Sequence, residues 1–214
     1  MSKRPRLVLG TRNRKKSLEL VDLLAPLGLE LCSLADFPTA IDVVEDGTTF
    51  AENAHRKAIQ QAQHLGEWVL GEDSGLVVDS LGGAPGVYSA RYAGEGATDE
   101  LNNSRLLKEL EGVPLERRSA HYVCHPALSD PAGRIQAEAE GECHGRILTQ
   151  HSGTGGFGYD PHFEVVEYHR TFGQLGPITK ACLSHRSRAM RMLLPQLKWL
   201  LQSGTWTQTL PSRS

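Results

Sequence analysis

Glu72-Asp73-Ser74-Gly75 sets two adjacent carboxylates between two short apolar runs, Trp68-Val69-Leu70 and Leu76-Val77-Val78. Carboxylates at the end of a buried strand are costly unless a cation or hydrogen bonds compensate them. Mg²⁺ meets that need, because it takes one or two protein carboxylates and completes its octahedron with water and phosphate oxygens. Glu72 and Asp73, with the outlying Glu45, are therefore candidate metal ligands; the plainer alternative is that Asp73 only caps a turn. The G-x-S-x-G pattern of a hydrolase nucleophile is missing around Ser74, which makes that serine a poor nucleophile candidate.

Two cationic segments accompany the acidic pair. Gly10-Thr11-Arg12-Asn13-Arg14-Lys15-Lys16 joins an apolar run, Leu7-Val8-Leu9, to a helical pattern. Its backbone N–H groups, hydroxyl and basic side chains thus lie at a positive helix end, suited to an anion. The spacing is not that of a Walker A loop, and a solvated basic turn is the competing reading. Lys180 and Ser184-His185-Arg186 stand at the start of the last helical pattern. Cations there oppose the helix dipole unless an anion rests among them; otherwise the segment is an exposed basic turn.

Ser152-Gly-Thr-Gly-Gly-Phe157-Gly158-Tyr159-Asp160-Pro161 places two aromatics and a carboxylate among four glycines. Glycines that dense are expected where the backbone takes φ > 0 or something approaches closely, and the aromatics offer stacking faces. Gly153-x-Gly155-x-x-Gly158 matches the dinucleotide fingerprint in letters only, since Pro161 and the extended Phe163-Glu-Val-Val follow in place of a helix. A tight turn between strands is the structural alternative. Two anion segments, an acidic pair for a divalent ion and an aromatic glycine loop together describe a site for a nucleoside polyphosphate.

The elements that must position these groups alternate between α and β. After Leu7–Leu9, a helix over Lys15–Leu27 ends at Gly28. Thr49-x-x-Glu52 is a capping box for a helix whose Ala54, Ala58, Ala62 and Leu65 share a face up to Gly66. Two separate strands, at Trp68–Leu70 and Leu76–Val78, lead to a Gly82–Gly86 turn and a helix from Thr98 to about Glu111. Ser119–Leu128 and Arg134–Glu142 read as strands joined by the turn Asp130-Pro-Ala-Gly133, with Pro126 marking an interruption or an edge. A last helix runs from the N-cap Ser184 to about Leu201, with Pro195 as a kink point and Met190, Leu193, Leu194, Leu197 and Leu201 facing inward. Residues 203–214 are expected to be a poorly ordered tail.

The 214 residues suffice for one domain with its own core, here expected over residues 1–202. Charged residues make up 22% of the chain and the formal net charge is -2, which argues against bulk nucleic-acid binding. Cys32, Cys124, Cys143 and Cys182 lack C-x-x-C or His-paired spacing and read as free thiols of a reducing cytosol. The apolar stretch near the N-terminus is too short for a signal segment or a membrane span.

In order, Thr11-x-Asn13-x-x-Lys16, Glu45-Asp-Gly-x-Thr-Phe-x-Glu-Asn53, Glu72-Asp-Ser-Gly75, Gly82-Gly-Ala-Pro-Gly-x-Tyr-Ser-Ala-Arg-Tyr92, Gly153–Pro161 and Ser184-His-Arg186 resemble the signatures of the inosine triphosphate pyrophosphatase family, over about Leu7 to Leu201. The resemblance implies an α/β fold, a long mixed β-sheet flanked by helices, with two lobes around a central substrate cleft. It further implies a cytoplasmic, Mg²⁺-dependent homodimer with no membrane or nucleic-acid partner. The implied reaction converts inosine, deoxyinosine and xanthosine triphosphates to monophosphate and diphosphate. Asp73 matches the proton acceptor and metal ligand, with Glu45 and Glu72 beside it; Thr11, Asn13, Lys16, Ser74 and Lys180 fall where phosphates are held. Phe157 would stack on the base, with Gly158, Tyr159, Asp160, His185 and Arg186 around it.

Departures from the family pattern are Arg12 where glycine is usual, Ile178 and Thr179 where acidic residues precede the lysine, and Gln174 where glutamate is common. Arg12 either adds a phosphate contact or faces solvent, and the orientation of Lys180 needs another support. The competing functions are a Maf-like pyrophosphatase for modified pyrimidine nucleotides, and a non-catalytic nucleotide- or RNA-binding module using Arg4, Arg6 and the Arg12–Lys16 cations. The absence of aromatics interleaved with that basic segment argues against the last.

Overall fold

The computed structural model describes residues 4–207. Among them, in chain order, are β1 (Arg6–Leu9), α1 (Arg14–Leu24), β2 (Glu30–Ser33), α2 (Phe50–Leu65), β3 (Val69–Val78), α3 (Asp99–Glu109), β4 (Ser119–Ser129), β5 (Ile135–Glu138), β6 (Gly141–Ile147), β7 (Phe163–Val165), β8 (Arg170–Thr171), α4 (Pro177–Leu183) and α5 (His185–Gln202). The strands form one mixed sheet in the order β2-β1-β3-β4-β6-β7-β8, with β5 paired to β4. β1 is parallel to β2 and β3, while β4 through β8 pair antiparallel. The expected α/β class with a long mixed sheet flanked by helices is what the chain adopts. No helix among the described residues is long and apolar enough to cross a membrane.

The chain divides into two compact units: residues up to Asp73 with His125–Glu140 and the segment from Ala189 onward, and Ser74–Cys124 with Gly141–Arg188. In the first unit, Leu7 and Leu9 of β1, Leu20 and Leu24 of α1, Leu70 of β3, and Met190, Leu193 and Leu197 of α5 form one buried cluster. Each such side chain contributes about 1.5–3 kcal/mol by leaving water. Trp206 is buried and stacks on Trp68, with ring centroids 4.5 Å apart and planes 14° apart, and its Nε1 donates to the Arg6 carbonyl at 3.2 Å. Packing therefore continues past Ser203, into the segment expected to be a poorly ordered tail; residues 208–214 lie outside the described residues. In the second unit the core gathers Leu76 and Val78 of β3, Leu106 of α3, Tyr122 of β4 and Phe163 of β7.

Local chemistry explains most helix ends. Asn13 Oδ1 accepts from the N–H groups of Lys15 and Lys16 and starts α1, which gives way to a 3₁₀ turn over Ala25–Leu27 at Pro26. Thr49 Oγ1 accepts from Glu52 N at 3.1 Å, and the Glu52 carboxylate returns chiefly to Thr48, accepting from its N–H at 2.6 Å and from its hydroxyl at 3.0 Å. The strongest return bonds of the capping box thus go to the residue before the cap. Thr98 caps α3, which closes at Leu110.

Three strand expectations need correction. Trp68–Leu70 and Leu76–Val78 are not two strands; β3 is continuous through the acidic residues, because tertiary partners compensate Glu72 and Asp73 within the ladder. Pro126 neither interrupts β4 nor marks an edge: β4 pairs with β6 up to Cys124 and with β5 from Ala127, so the proline falls where the partner changes. The Arg134–Glu142 stretch is split into β5 and the start of β6. Ahead of the last helix Lys180 lies on a short helix of its own, α4; Ser184 ends α4 and, as the expected N-cap, accepts from Ser187 N through Oγ at 3.2 Å to start α5, which runs through Pro195.

Candidate active site

In the first unit, α2 lies unusually close to β3. A Cβ added to Gly71 would sit 2.6 Å from the Ala58 nitrogen and 3.0 Å from its Cβ, and closer still to the Ala54 carbonyl oxygen. The small face Ala54-Ala58-Ala62 together with a glycine in the strand therefore sets the helix against the sheet. Beside that face runs a polar stripe, Asn53, Lys57 and Gln61, one helical turn apart each.

Asn53 and Lys57 meet Asp73. The Asn53 amide accepts from Gly47 N at 2.9 Å through Oδ1 and donates through Nδ2 to Asp73 Oδ2 at 3.1 Å. Lys57 Nζ donates to Asp73 Oδ1 at 3.0 Å and to Glu45 Oε2 at 2.9 Å. Burial pulls the lysine toward its neutral form, but the two facing carboxylates and their hydrogen bonds outweigh it and hold the ammonium above the ordinary lysine range. Glu72, nearly fully buried, faces Lys16 Nζ at 3.5 Å. Glu45, Glu72 and Asp73 are thus each set against an ammonium group, and Lys16 ties the anion loop to Glu72.

The loop itself is shaped locally. Thr11 Oγ1 accepts from Asn13 N at 3.2 Å, and Arg14 and Lys15 are exposed at the first turn of α1. Arg12 turns to the chain at Ala40 and Asp42, donating to the Ala40 carbonyl at 3.0 Å and lying 3.2 Å from the Asp42 carboxylate. Ser74, the next residue of β3 after Asp73, counts with the second unit, where its Oγ accepts from Arg186 Nη2 at 3.2 Å.

In the second unit a polar cluster gathers around Asp160. Its Oδ2 accepts from Phe157 N at 2.8 Å and from Lys180 Nζ at 2.7 Å, and Tyr122 Oη donates to Oδ1 at 3.4 Å. The Lys180 ammonium also lies 4.4 Å from the centroid of the Phe157 ring. Asp160 therefore orients Lys180, the support that Ile178 and Thr179 do not supply; Ile178 is 82% exposed. Gly156, at φ 77°, is required here: a side chain would collide with Asp160, whose Cγ would be 2.8 Å from its Cβ. Gly153, at φ 83°, packs against the Gly173 backbone, where Gly155 N donates to Gly173 O at 2.9 Å.

Two aromatic planes are parallel nearby. His185, at the start of α5, stacks on Tyr122 with centroids 4.7 Å apart and planes 13° apart, both buried. Burial and the Asp160 charge push the Tyr122 phenol well above its ordinary range, so it remains an O–H donor. Arg186 is buried next to His185. Gly158 is held from both sides, its N–H donating to Asp99 Oδ2 at 2.8 Å and its carbonyl accepting from Asn103 Nδ2 at 2.9 Å. Tyr159 is buried in the core and donates to the Ser89 carbonyl at 2.8 Å.

Lys57 and Tyr122 were not among the residues singled out by sequence, and Asn53 entered only as the last residue of the Glu45–Asn53 signature, without a role. For Asn53 and Lys57 the signal was present as a polar stripe beside the alanine face of α2. Tyr122 carries none, since an aromatic in an apolar strand reads as core.

A family model described as the Ham1 family matches residues 7–196. A dITP/XTP pyrophosphatase of Rhodopirellula baltica is 56% identical over 199 residues, covering 93% of this chain and 96% of the relative. One from Desulforamulus reducens is 49% identical over 195 residues, covering 91% and 96%. The solved structure of a HAM1 protein from Coxiella burnetii is 36% identical, with a TM-score of 0.82 over 92% of this chain and 98% of that one.

Proposed function

Because the chain belongs to the Ham1 family, we propose that it hydrolyses inosine, deoxyinosine and xanthosine triphosphates to the monophosphate and diphosphate. The observation that carries this reading is Asp73, buried in the middle of β3 with each carboxylate oxygen fixed by a different residue of α2. A carboxylate so oriented can take the proton of a water attacking the α-phosphorus, as a general base. Lys57 and Asn53 act as positioning residues through it. Lys16 and the positive end of the α1 dipole suit the charge on the departing diphosphate, with Thr11 and Asn13 shaping the loop.

Mg²⁺ is the cofactor of this reading. Glu45 and Asp73 already share one cation, the Lys57 ammonium, and offer the hard carboxylate oxygens of which Mg²⁺ needs only one or two, while Glu72, the residue before Asp73 in β3, is set against Lys16. When bound, the ion polarises phosphoryl oxygens and offsets their charge.

The second unit suits the base. Phe157 offers a stacking face, and Lys180, His185 and Arg186 supply donors; a 6-oxo purine accepts where adenine presents a 6-amino donor. A buried donor left facing an N–H group costs about 1–3 kcal/mol, roughly tenfold to a hundredfold in selectivity. We further infer a homodimer acting in the cytoplasm, as the family resemblance implies. A diphosphate-release assay over inosine, xanthosine, standard and modified pyrimidine triphosphates, with and without Mg²⁺, tests the proposal. Preference for the 6-oxo purines and dependence on Mg²⁺ are expected; preference for modified pyrimidines would move the chain to Maf-like chemistry.

A further inference from the structure

His55 on α2, His125 on β4 and Glu138 on β5 all belong to the first unit and play no part in the site described above. Their donor atoms lie within 4.8 Å of one another. His55 Nε2 is 2.6 Å and His125 Nε2 is 3.1 Å from the same oxygen, Glu138 Oε2, and the two imidazoles meet edge to face with centroids 5.8 Å apart. Glu140 Oε2 lies 3.3 Å from the other ring nitrogen of His125, Nδ1.

We propose that His55 Nε2, His125 Nε2 and Glu138 Oε2 form a binding site for one divalent transition ion of the zinc class. The donor set is two imidazoles and a carboxylate, borderline chemistry that favours zinc-like ions and differs from the all-oxygen set at Asp73. Zinc–nitrogen bonds of ~2.0–2.1 Å in a tetrahedron place ligand atoms about 3.3 Å apart. Against that spacing the present 2.6 and 3.1 Å would open by about 0.7 and 0.2 Å. Glu140 supplies the outer carboxylate that fixes a ligating histidine: with Nδ1–H donated to it, the lone pair of His125 Nε2 is turned to the ion. His125 is buried while His55 and Glu138 are partly open, so a fourth position is left to water.

The ion would clip α2, β4 and β5 together. Asn53 and Lys57 lie four residues apart on α2, and His55, two residues from each, falls on the opposite side of the helix. The site thus anchors the outer side of the helix that holds Asp73.

Chelator-stripped full-length protein titrated with Co²⁺, in saturating Mg²⁺, reads the site by visible absorption and by melting temperature. The expected result is one equivalent of Co²⁺ with a tetrahedral-type band and a raised melting temperature. His55→Ala and Glu138→Gln, both at partly exposed positions, should each weaken binding about tenfold or more and abolish the shift, while His125→Ala removes the band. Asp73→Asn should leave all of these readings unchanged. A wild-type protein without one-equivalent binding, or a band that survives in the His55 and His125 variants, overturns the proposal; in the latter case loss in Asp73→Asn assigns the ion to the carboxylates. Without an ion, the same three groups are ordinary imidazole–carboxylate pairs.

Discussion

Gly71→Ala tests how far the site depends on the approach of one helix to one strand. The new Cβ would lie 2.6 Å from the Ala58 nitrogen and closer still to the Ala54 carbonyl oxygen, whereas ordinary contact begins at 3.4 Å, so α2 or β3 must move by about 0.8 Å or more. Asn53 and Lys57 reach Asp73 at 3.1 and 3.0 Å, and the same displacement stretches both bonds beyond hydrogen-bonding range. Overpacking of this kind costs about 1–3 kcal/mol, or roughly 2–12 °C in melting temperature for a chain of this size. Misplacement near 1 Å costs about a hundredfold in rate. Steady-state diphosphate release from inosine triphosphate should therefore show kcat reduced about a hundredfold, with KM changed much less. Because the blocking atoms include backbone of Ala54 and Ala58, adding Ala58→Gly should not restore the rate. A Gly71→Ala protein with wild-type kcat and melting temperature would refute the claim that helix approach positions Asp73.

Asp73→Asn should remain folded, by circular dichroism, and lose most turnover of inosine triphosphate; near-normal turnover removes Asp73 from the role of proton acceptor. Phe157→Ala removes the ring beneath the Lys180 ammonium and should raise KM and blunt the preference for 6-oxo purines over adenine, with the Mg²⁺ requirement intact. Asp130 accepts from Ala132 N, Arg134 N, Arg134 Nε and Gln136 Nε2. Burial opposes its charge, yet the backbone and side-chain hydrogen bonds from Arg134 prevail and hold its carboxyl below the ordinary aspartate range. Its depressed value means stability that is present above about pH 3.9 and lost as pH falls through the folded value. Asp130→Asn should thus melt lower than wild type at neutral pH, with the gap closing in acid; a gap independent of pH would contradict the assignment.

What could be read in advance followed from local chemistry. Thr49, Thr98 and Asn13 are short polar side chains before apolar periodicity, and Gly28 and Gly66 are the left-handed stops after it. The unity of β3 was hidden because Glu72 and Asp73 are tolerable in a buried ladder only through Lys16, Lys57 and Asn53, which lie far away in sequence. Helix α4 was hidden because it is seven residues long and leaves Ile178 exposed, so it has no amphipathic period to detect. Trp206 carried the opposite sign: a polar terminal context masked a ring that Trp68 receives. The candidate site residues were legible as types and spacings, while their pairing, above all Asp160 with Lys180, needed the fold.

The stacked pair at Trp68 and Trp206 has an optical consequence. All three tryptophans of the chain, Trp68, Trp199 and Trp206, fall in the first compact unit, and all five tyrosines, Tyr88, Tyr92, Tyr122, Tyr159 and Tyr168, fall in the second. Tryptophan emission, and the exciton signal of two indoles stacked at 14°, therefore report on the first unit alone, while tyrosine difference absorption reports on the second. The native chain can thus be followed through unfolding in two colours without a label, each belonging to one half of the machinery.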